Sequence, residues 1–261
     1  MKEFTLPSLF NDEPEEIVQS VKIEEKPVIK KAEKRIVSLT SLEKKFSKIV
    51  AASGQNHLNV FTEWLDYIIE WFTPFGDMSK FDERKGLLQE LTHDYFCLMD
   101  DMLSKQKWYD AWGDLFQLLM GNFTGYRGQF FTPEALVDIT TERMNIDDIN
   151  PSSCGAFGDR IKVSDSACGS ARFLLSAHSY LLSKDKPQPY LIGEDLDHIC
   201  VKMAAVNMCV HGCFGEVICH DSLLQSHGKL WGYKINEGRY PFPGLPTIRR
   251  FESASAFILF S

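Results

Sequence analysis

The sequence predicts an α/β fold: a parallel, doubly wound sheet preceded by a small helical domain. Three observations predict it. After Gly121, short apolar strands alternate with helical stretches, the mark of repeated β-α-β units. Acids and small-residue turns stand at the strand ends, where such sheets bind ligands. Before Gly121, apolar residues recur at three- and four-residue steps with no strand pattern.

Residues 1–38 read as a solvated tail. Glu13, Pro14, Glu15 and Glu16, then Lys22, Glu24, Glu25, Lys26 and Pro27, alternate without a sustained period. Such a mixture buries too little apolar area to offset ordering entropy. A partner-binding segment is the other reading of it.

Residues 39–121 form the helical domain. Leu58, Phe61, Leu65, Ile68, Ile69 and Phe72 share one face. Leu87, Leu88, Leu91, Tyr95, Leu98 and Leu103 mark a second helix, and Trp108, Trp112, Leu115, Phe116 and Leu119 a third. The aromatic stripe reads as core rather than as a base-stacking surface.

Residues 122–261 form the sheet domain. Ile161 to Asp165 is a strand, and Arg172 to Leu182 is a helix with Ser170 as its N-cap. Tyr190 to Gly193 is a second strand. Asp197 to His211 is a helix closed by Gly212, and Glu216 to Cys219 is a third strand.

Four segments carry the chemistry. Asp165-Ser166-Ala167-Cys168-Gly169-Ser170-Ala171 follows the first strand and opens a helix. Its small residues let backbone amides approach a ligand, and its acid suits a cationic or amine-bearing one. The G-x-G-x-x-G spacing of dinucleotide folds is absent, and a structural loop accounts for the segment equally well. Gly193-Glu194-Asp195-Leu196-Asp197 ends the second strand. Asp195 is placed to accept ribose hydroxyls, whereas Asp197 is explained by helix capping alone. His220-Asp221-Ser222-Leu223 ends the third strand, where Asp221 either accepts from an adenine amino group or makes a turn. Upstream, Gly128-Gln129-Phe130-Phe131-Thr132-Pro133-Glu134 starts a helix, with Thr132 as cap and Pro133 in its first position. That helix start leaves the phenylalanines unexplained.

In order, these read GQFFTP, DSACGSARFLL, GEDLD and HDSLL. The set resembles the modification subunits of type I restriction–modification systems, which are γ-class N6-adenine DNA methyltransferases. The resemblance covers about Gly121 to Leu224, and the preceding helices match that family's layout. It implies a fold of the S-adenosylmethionine-dependent methyltransferase type. It also implies methyl transfer from S-adenosylmethionine to adenine N6 in double-stranded DNA, with no metal. Phe131, Thr132 and Pro133 would border the methionine part of the cofactor. Asp165, Ala167 and Gly169 would hold its amino-acid end, Asp195 its ribose and Asp221 its adenine amino group. The implied partners are DNA and a specificity or other restriction–modification subunit. Two residues depart from the family's loop: Ser166 stands for its usual proline and Ala171 for its usual glycine.

The family's catalytic Asn-Pro-Pro-Phe or Asn-Pro-Pro-Tyr is not found after Asp221. The nearest candidate is Asn236, after a partly alternating stretch, with Glu237 and Gly238 in place of the prolines and Tyr240 or Phe242 to stack on a base. Such a loop is less rigid than one locked by two prolines. Two readings therefore stand: an adenine methyltransferase, or a cofactor-binding relative that acts through a partner. A methyltransferase of protein or RNA is a weaker third. Phe257 to Phe260 looks like a further strand cut short, as in a fragment or a diverged relative.

Composition sets the limits. A formal charge of −8 argues against a strong autonomous DNA binder, so a local patch or a basic partner must supply cations. No apolar stretch is long enough to span a bilayer and no signal core opens the chain, which suggests a cytoplasmic protein. Seven scattered cysteines fit reduced thiols better than a disulfide framework. Cys209, His211, Cys213, Cys219 and His220 match no common zinc spacing.

Overall fold

The computed structural model describes residues 37–120, 131–146, 160–223, 230–236 and 246–253. Helices α1 (Leu39–Ser53), α2 (His57–Phe72), α3 (Lys85–Leu103) and α4 (Ala111–Met120) come first, with a 3-10 turn at Met78–Phe81. Then follow α5 (Glu134–Arg143), β1 (Lys162–Asp165), α6 (Arg172–Ser183), β2 (Tyr190–Asp195), α7 (His198–Val210), β3 (Phe214–Cys219), β4 (Leu230–Ile235) and β5 (Ile248–Ser253).

The early helices start where the sequence supplies caps. The Ser38 hydroxyl accepts from the Ser41 amide, and the Asn56 side-chain Oδ1 from the Asn59 amide. Their apolar faces meet in an aromatic cluster. Trp112 lies 4.6 Å from Trp64, 5.0 Å from Tyr95 and 5.5 Å from Phe61, centroid to centroid. All four rings are almost fully buried, each contributing about 1.5–3 kcal/mol by transfer from water. The aromatic stripe is core. Leu87 departs from the expected stripe, being 43% exposed, because Leu88 and Leu91 hold the inner face of α3.

The period change near residue 121 is not a break in the core. One hydrophobic cluster runs from Val37 through Trp112 to Leu191, Val217, Tyr233 and Ile248. Helices α2 and α4 pack on α7, which packs on β2, β3 and β4.

The fold is α/β and Rossmann-like in its first three strands. β1, β2 and β3 are parallel neighbours, joined through α6 and α7. β4 then returns antiparallel to β3, and β5 antiparallel to β4, giving a mixed sheet in the order β1-β2-β3-β4-β5. A parallel crossover needs a dozen or more residues, usually with a helix. Only residues 220–229 separate β3 from β4, so the chain can only turn back. Among the described residues, no helix is long and apolar enough to cross a membrane. The stretch Phe257–Phe260, residues 1–36 of the expected tail, Phe242, Tyr240 and the Glu237-Gly238 pair lie outside the described residues.

Two expected caps shift. α6 is preceded by Ala171 rather than capped by Ser170, whose hydroxyl is bound elsewhere. α5 is preceded by Pro133, with no side-chain cap from Thr132. Asp197 caps α7 as expected, accepting from the Ile199 amide at 2.8 Å.

Candidate functional site

The carboxyl ends of three parallel strands bring Asp165, Asp195 and Asp221 to one end of the sheet. β1 ends on Asp165, β2 on Asp195 and β3 on Cys219, with Asp221 two residues on. Backbone and side-chain hydrogen bonds lace the three loops. The Cys168 amide donates to the Glu194 carbonyl at 2.8 Å, and the Gly169 amide to Asp195 Oδ2 at 2.9 Å. The His220 amide donates to the Asp195 carbonyl at 2.9 Å. Ser222 Oγ donates to the Ser166 carbonyl at 2.9 Å, closing the ring from third loop to first.

Each acid also orders its own loop. Asp165 accepts from the Ala167 amide at 3.1 Å, Asp195 from the Asp197 amide at 2.8 Å, and Asp221 from the Leu223 amide at 3.0 Å. The turn role considered for Asp221 is thus present. Each carboxylate offers about four acceptor sites, so these bonds leave room for a ligand on every one. Burial pushes the Asp165 carboxyl above the usual carboxylate range; the Ala167 amide opposes this and the Asp195 charge adds to it. A ligand carrying positive charge and hydrogen-bond donors relieves that repulsion.

Phe131 closes the site from the side. Its ring lies 6.0 Å from that of Phe116, and a Cβ built on Gly169 would meet it at 2.9 Å. Gly169 has φ +54°, so its backbone and its clearance both call for glycine. Thr132 and Pro133 follow Phe131 into α5. Gly128 to Phe130 lie outside the described residues. Sequence reasoning does not single out Leu196 and Leu223, yet they are 63% and 92% exposed, one residue after Asp195 and two after Asp221. Large apolar side chains left in water at a site mouth are candidates to pack on a ligand ring. A signal exists in the sequence: each is an apolar residue in an acid-bearing turn.

Asn236 does not join this site. Ile235 pairs with Gly215 at the start of β3, so Asn236 lies at the opposite end of the sheet. Five residue steps along β3 separate the two levels, roughly 16 Å at strand rise. Its amide Nδ2 donates to the Cys213 carbonyl at 2.7 Å, and its Oδ1 accepts from the Thr247 amide at 2.8 Å. With φ +55° it is a turn residue joining β4, β5 and the start of β3.

The cysteine and histidine series is also dispersed. Cys209 and Cys213 are fully buried, and the Tyr109 amide donates to His211 Nε2 at 3.2 Å. His220 Nδ1 lies 3.3 Å from the Glu194 carboxylate. Among the described residues no three metal-ligating side chains converge.

The match to known families falls on this segment. The family model described as N-6 DNA Methylase matches residues 107–235. Over these residues the chain is similar to the N-6 DNA methylase family. A curated relative, the methylase subunit of the type I restriction enzyme MjaVII from Methanocaldococcus jannaschii, is 26% identical over 173 residues. That match covers 61% of this chain and 28% of the relative, so the chain spans little more than a quarter of the relative's length. Among solved structures, a Listeria monocytogenes protein described as a class I S-adenosylmethionine-dependent methyltransferase aligns with TM-score 0.44 and 14% identity, over 69% of this chain and 50% of that one. A type I restriction–modification methyltransferase subunit from Streptococcus thermophilus aligns with TM-score 0.30 and 19% identity, over 69% and 38%. In this segment the donor-rich cofactor S-adenosylmethionine fits the residues present. It offers a sulfonium, an ammonium, ribose hydroxyls and an adenine amino group to three carboxylates and a glycine cradle.

Proposed function

We propose that this chain binds S-adenosylmethionine at the carboxyl ends of β1, β2 and β3, and that the bound cofactor serves methylation of adenine N6 in double-stranded DNA. The observation that carries the reading is the laced trio of Asp165, Asp195 and Asp221 beside the Gly169–Phe131 cradle. Asp195 takes the ribose hydroxyls, and Asp221 takes the adenine amino group. Asp165, with the amides at Ala167 and Gly169, takes the amino-acid end. Phe131, Thr132 and Pro133 border the methionine chain, and Leu196 and Leu223 bracket the adenine ring. When bound, the cofactor supplies a methyl group activated by a positive sulfur. The chain's own residues orient that group, offset its charge and exclude water from it.

The acidic balance of the chain points to a basic partner, such as a specificity subunit, as the source of much of the DNA affinity. A cytoplasmic location belongs to the same reading. A second reading is favoured by one observation, the position of Asn236 away from the acids. In it the chain is a cofactor-binding relative that acts through a partner subunit. The base-stacking role expected of Tyr240 falls on a residue outside those described.

Isothermal calorimetry of the full chain tests the proposal. S-adenosylmethionine is expected to bind in the micromolar range, as a small ligand held by a few charge-assisted bonds does. Asp195→Ala is expected to weaken it by roughly 1.5–3 kcal/mol, the scale of a hydrogen bond to a charged group. A folded wild-type chain that gives no heat with the cofactor overturns the reading, and NAD binding in its place points to a dehydrogenase-like sheet.

A further inference from the structure

We infer that Asp110 and Arg172, which touch none of the three strand-end acids, are positioning residues that seat the Phe131–Thr132 segment on the cofactor loop. The inference rests on the cofactor reading and adds a device to it.

Asp110 precedes α4 and is fully buried. Its Oδ2 accepts from Ser170 Oγ at 2.5 Å and from Arg172 Nε at 2.6 Å. Its Oδ1 accepts from Asn207 Nδ2 and from the Gly113 amide, each at 2.7 Å. Asn207 Nδ2 donates again to the Ser170 carbonyl at 2.9 Å. Ser170, inside the cofactor loop, is therefore gripped at both hydroxyl and carbonyl by groups from α4's entry and from α7.

Arg172 carries the grip across to the other wall. Its Nη1 donates to the Thr132 carbonyl at 2.9 Å, and its guanidinium lies 5.5 Å from the centroid of the Phe131 ring. Its Nη2 donates to Asp114. Phe131 in turn presses against Gly169. One planar fork thus fixes the loop after β1 and the segment before α5 relative to each other.

Stability alone is a poor account of this arrangement. Arg172 stands in the first turn of α6, where the helix dipole disfavours a cation. Burying an ion pair costs several kcal/mol per ion, and well-packed apolar replacements are often as stable. What the fork uniquely supplies is direction, because guanidinium donors are planar and fixed. The segment it directs is the one assigned to the methionine end of the cofactor, whereas the ribose and adenine contacts lie on β2 and β3 loops that Arg172 does not touch.

That asymmetry gives the test. Dissociation constants for S-adenosylmethionine and for adenosine are measured by calorimetry, with adenosine by competition, on the full chain and on Asp110→Asn and Arg172→Lys. Thermal melts accompany each. The expected result is a loss of at least about tenfold for S-adenosylmethionine, with adenosine changed by less than about twofold. Arg172→Lys keeps the charge and decides the matter if Asp110→Asn does not fold. Equal weakening of both ligands, no change in either, or loss of the folded state in both variants makes the network structural and overturns the inference. Wild-type binding of adenosine and S-adenosylmethionine shows that the cofactor reading stands when the inference fails; wild-type binding of neither removes both.

Discussion

Ala171 is a buried alanine held in the left-handed region. The resemblance marks it as a place where the family has glycine. The structure gives the reason: Ala171 has φ +78°, immediately before α6, and is fully buried. The left-handed region costs an L-residue about 1–2 kcal/mol, of which glycine returns a part through its greater unfolded-state freedom. Ala171→Gly is therefore expected to stabilise the chain by about 1 kcal/mol, raising the melting temperature by roughly 2–4 °C. A scanning-calorimetry melt that falls instead would show that the buried methyl contributes more than its strain costs. That Asp165, Asp195 and Asp221 stand at one end of the sheet was legible because each ends or closely follows a strand, although each also makes a local turn bond. The network of Asp110 was not, since its side-chain partners lie 60, 62 and 97 residues away in sequence. No local spacing encodes such a contact.

At the scale of elements, the parallel strands were readable from alternation and flanking helices, and their ends from small residues and acids. Their tightness was not. Gly215 lies opposite Leu191 in the β2–β3 ladder, and a Cβ there would meet the Leu191 carbonyl oxygen at 1.9 Å. This is backbone contact, which no side-chain rotation relieves. Gly215→Ala is expected to cost about 3 kcal/mol or more, at the high end for single substitutions, and to lower the urea midpoint accordingly. An unchanged midpoint would mean that β2 and β3 separate at that point without loss. The antiparallel course of β4 was also readable: ten residues, 220–229, are too few for a parallel crossover. Alternation before Asn236 is the same for either strand direction, whereas the short β3–β4 connection permits only the antiparallel one.

For the whole molecule, strand direction decides which residues can meet. Because β4 runs against β3, Asn236 is carried to the far end of the sheet and spends both side-chain ends on backbone groups. Asn236→Ala strips partners from the Cys213 carbonyl and the Thr247 amide, and is expected to cost about 1–3 kcal/mol of stability while leaving cofactor affinity within about twofold. The measurement is a pair: a thermal melt and a calorimetric titration with S-adenosylmethionine, joined to an assay of labelled methyl transfer to duplex DNA. Transfer lost without loss of stability would return Asn236 to the chemistry.

The sequence by itself determined the α/β class, the helical prelude, the strand ends that carry acids and the likeness of residues 107–235 to the N-6 DNA methylase family. These are short-range properties, written in periodicity and in motifs a few residues long. The tertiary structure alone decided that helices and sheet share one core, that Ser170 and Arg172 are bound to Asp110, and that Asn236 stands apart from the acids. Those facts depend on which strands pair, in which direction and against which helices, and such pairings are settled by packing between residues far apart in the chain.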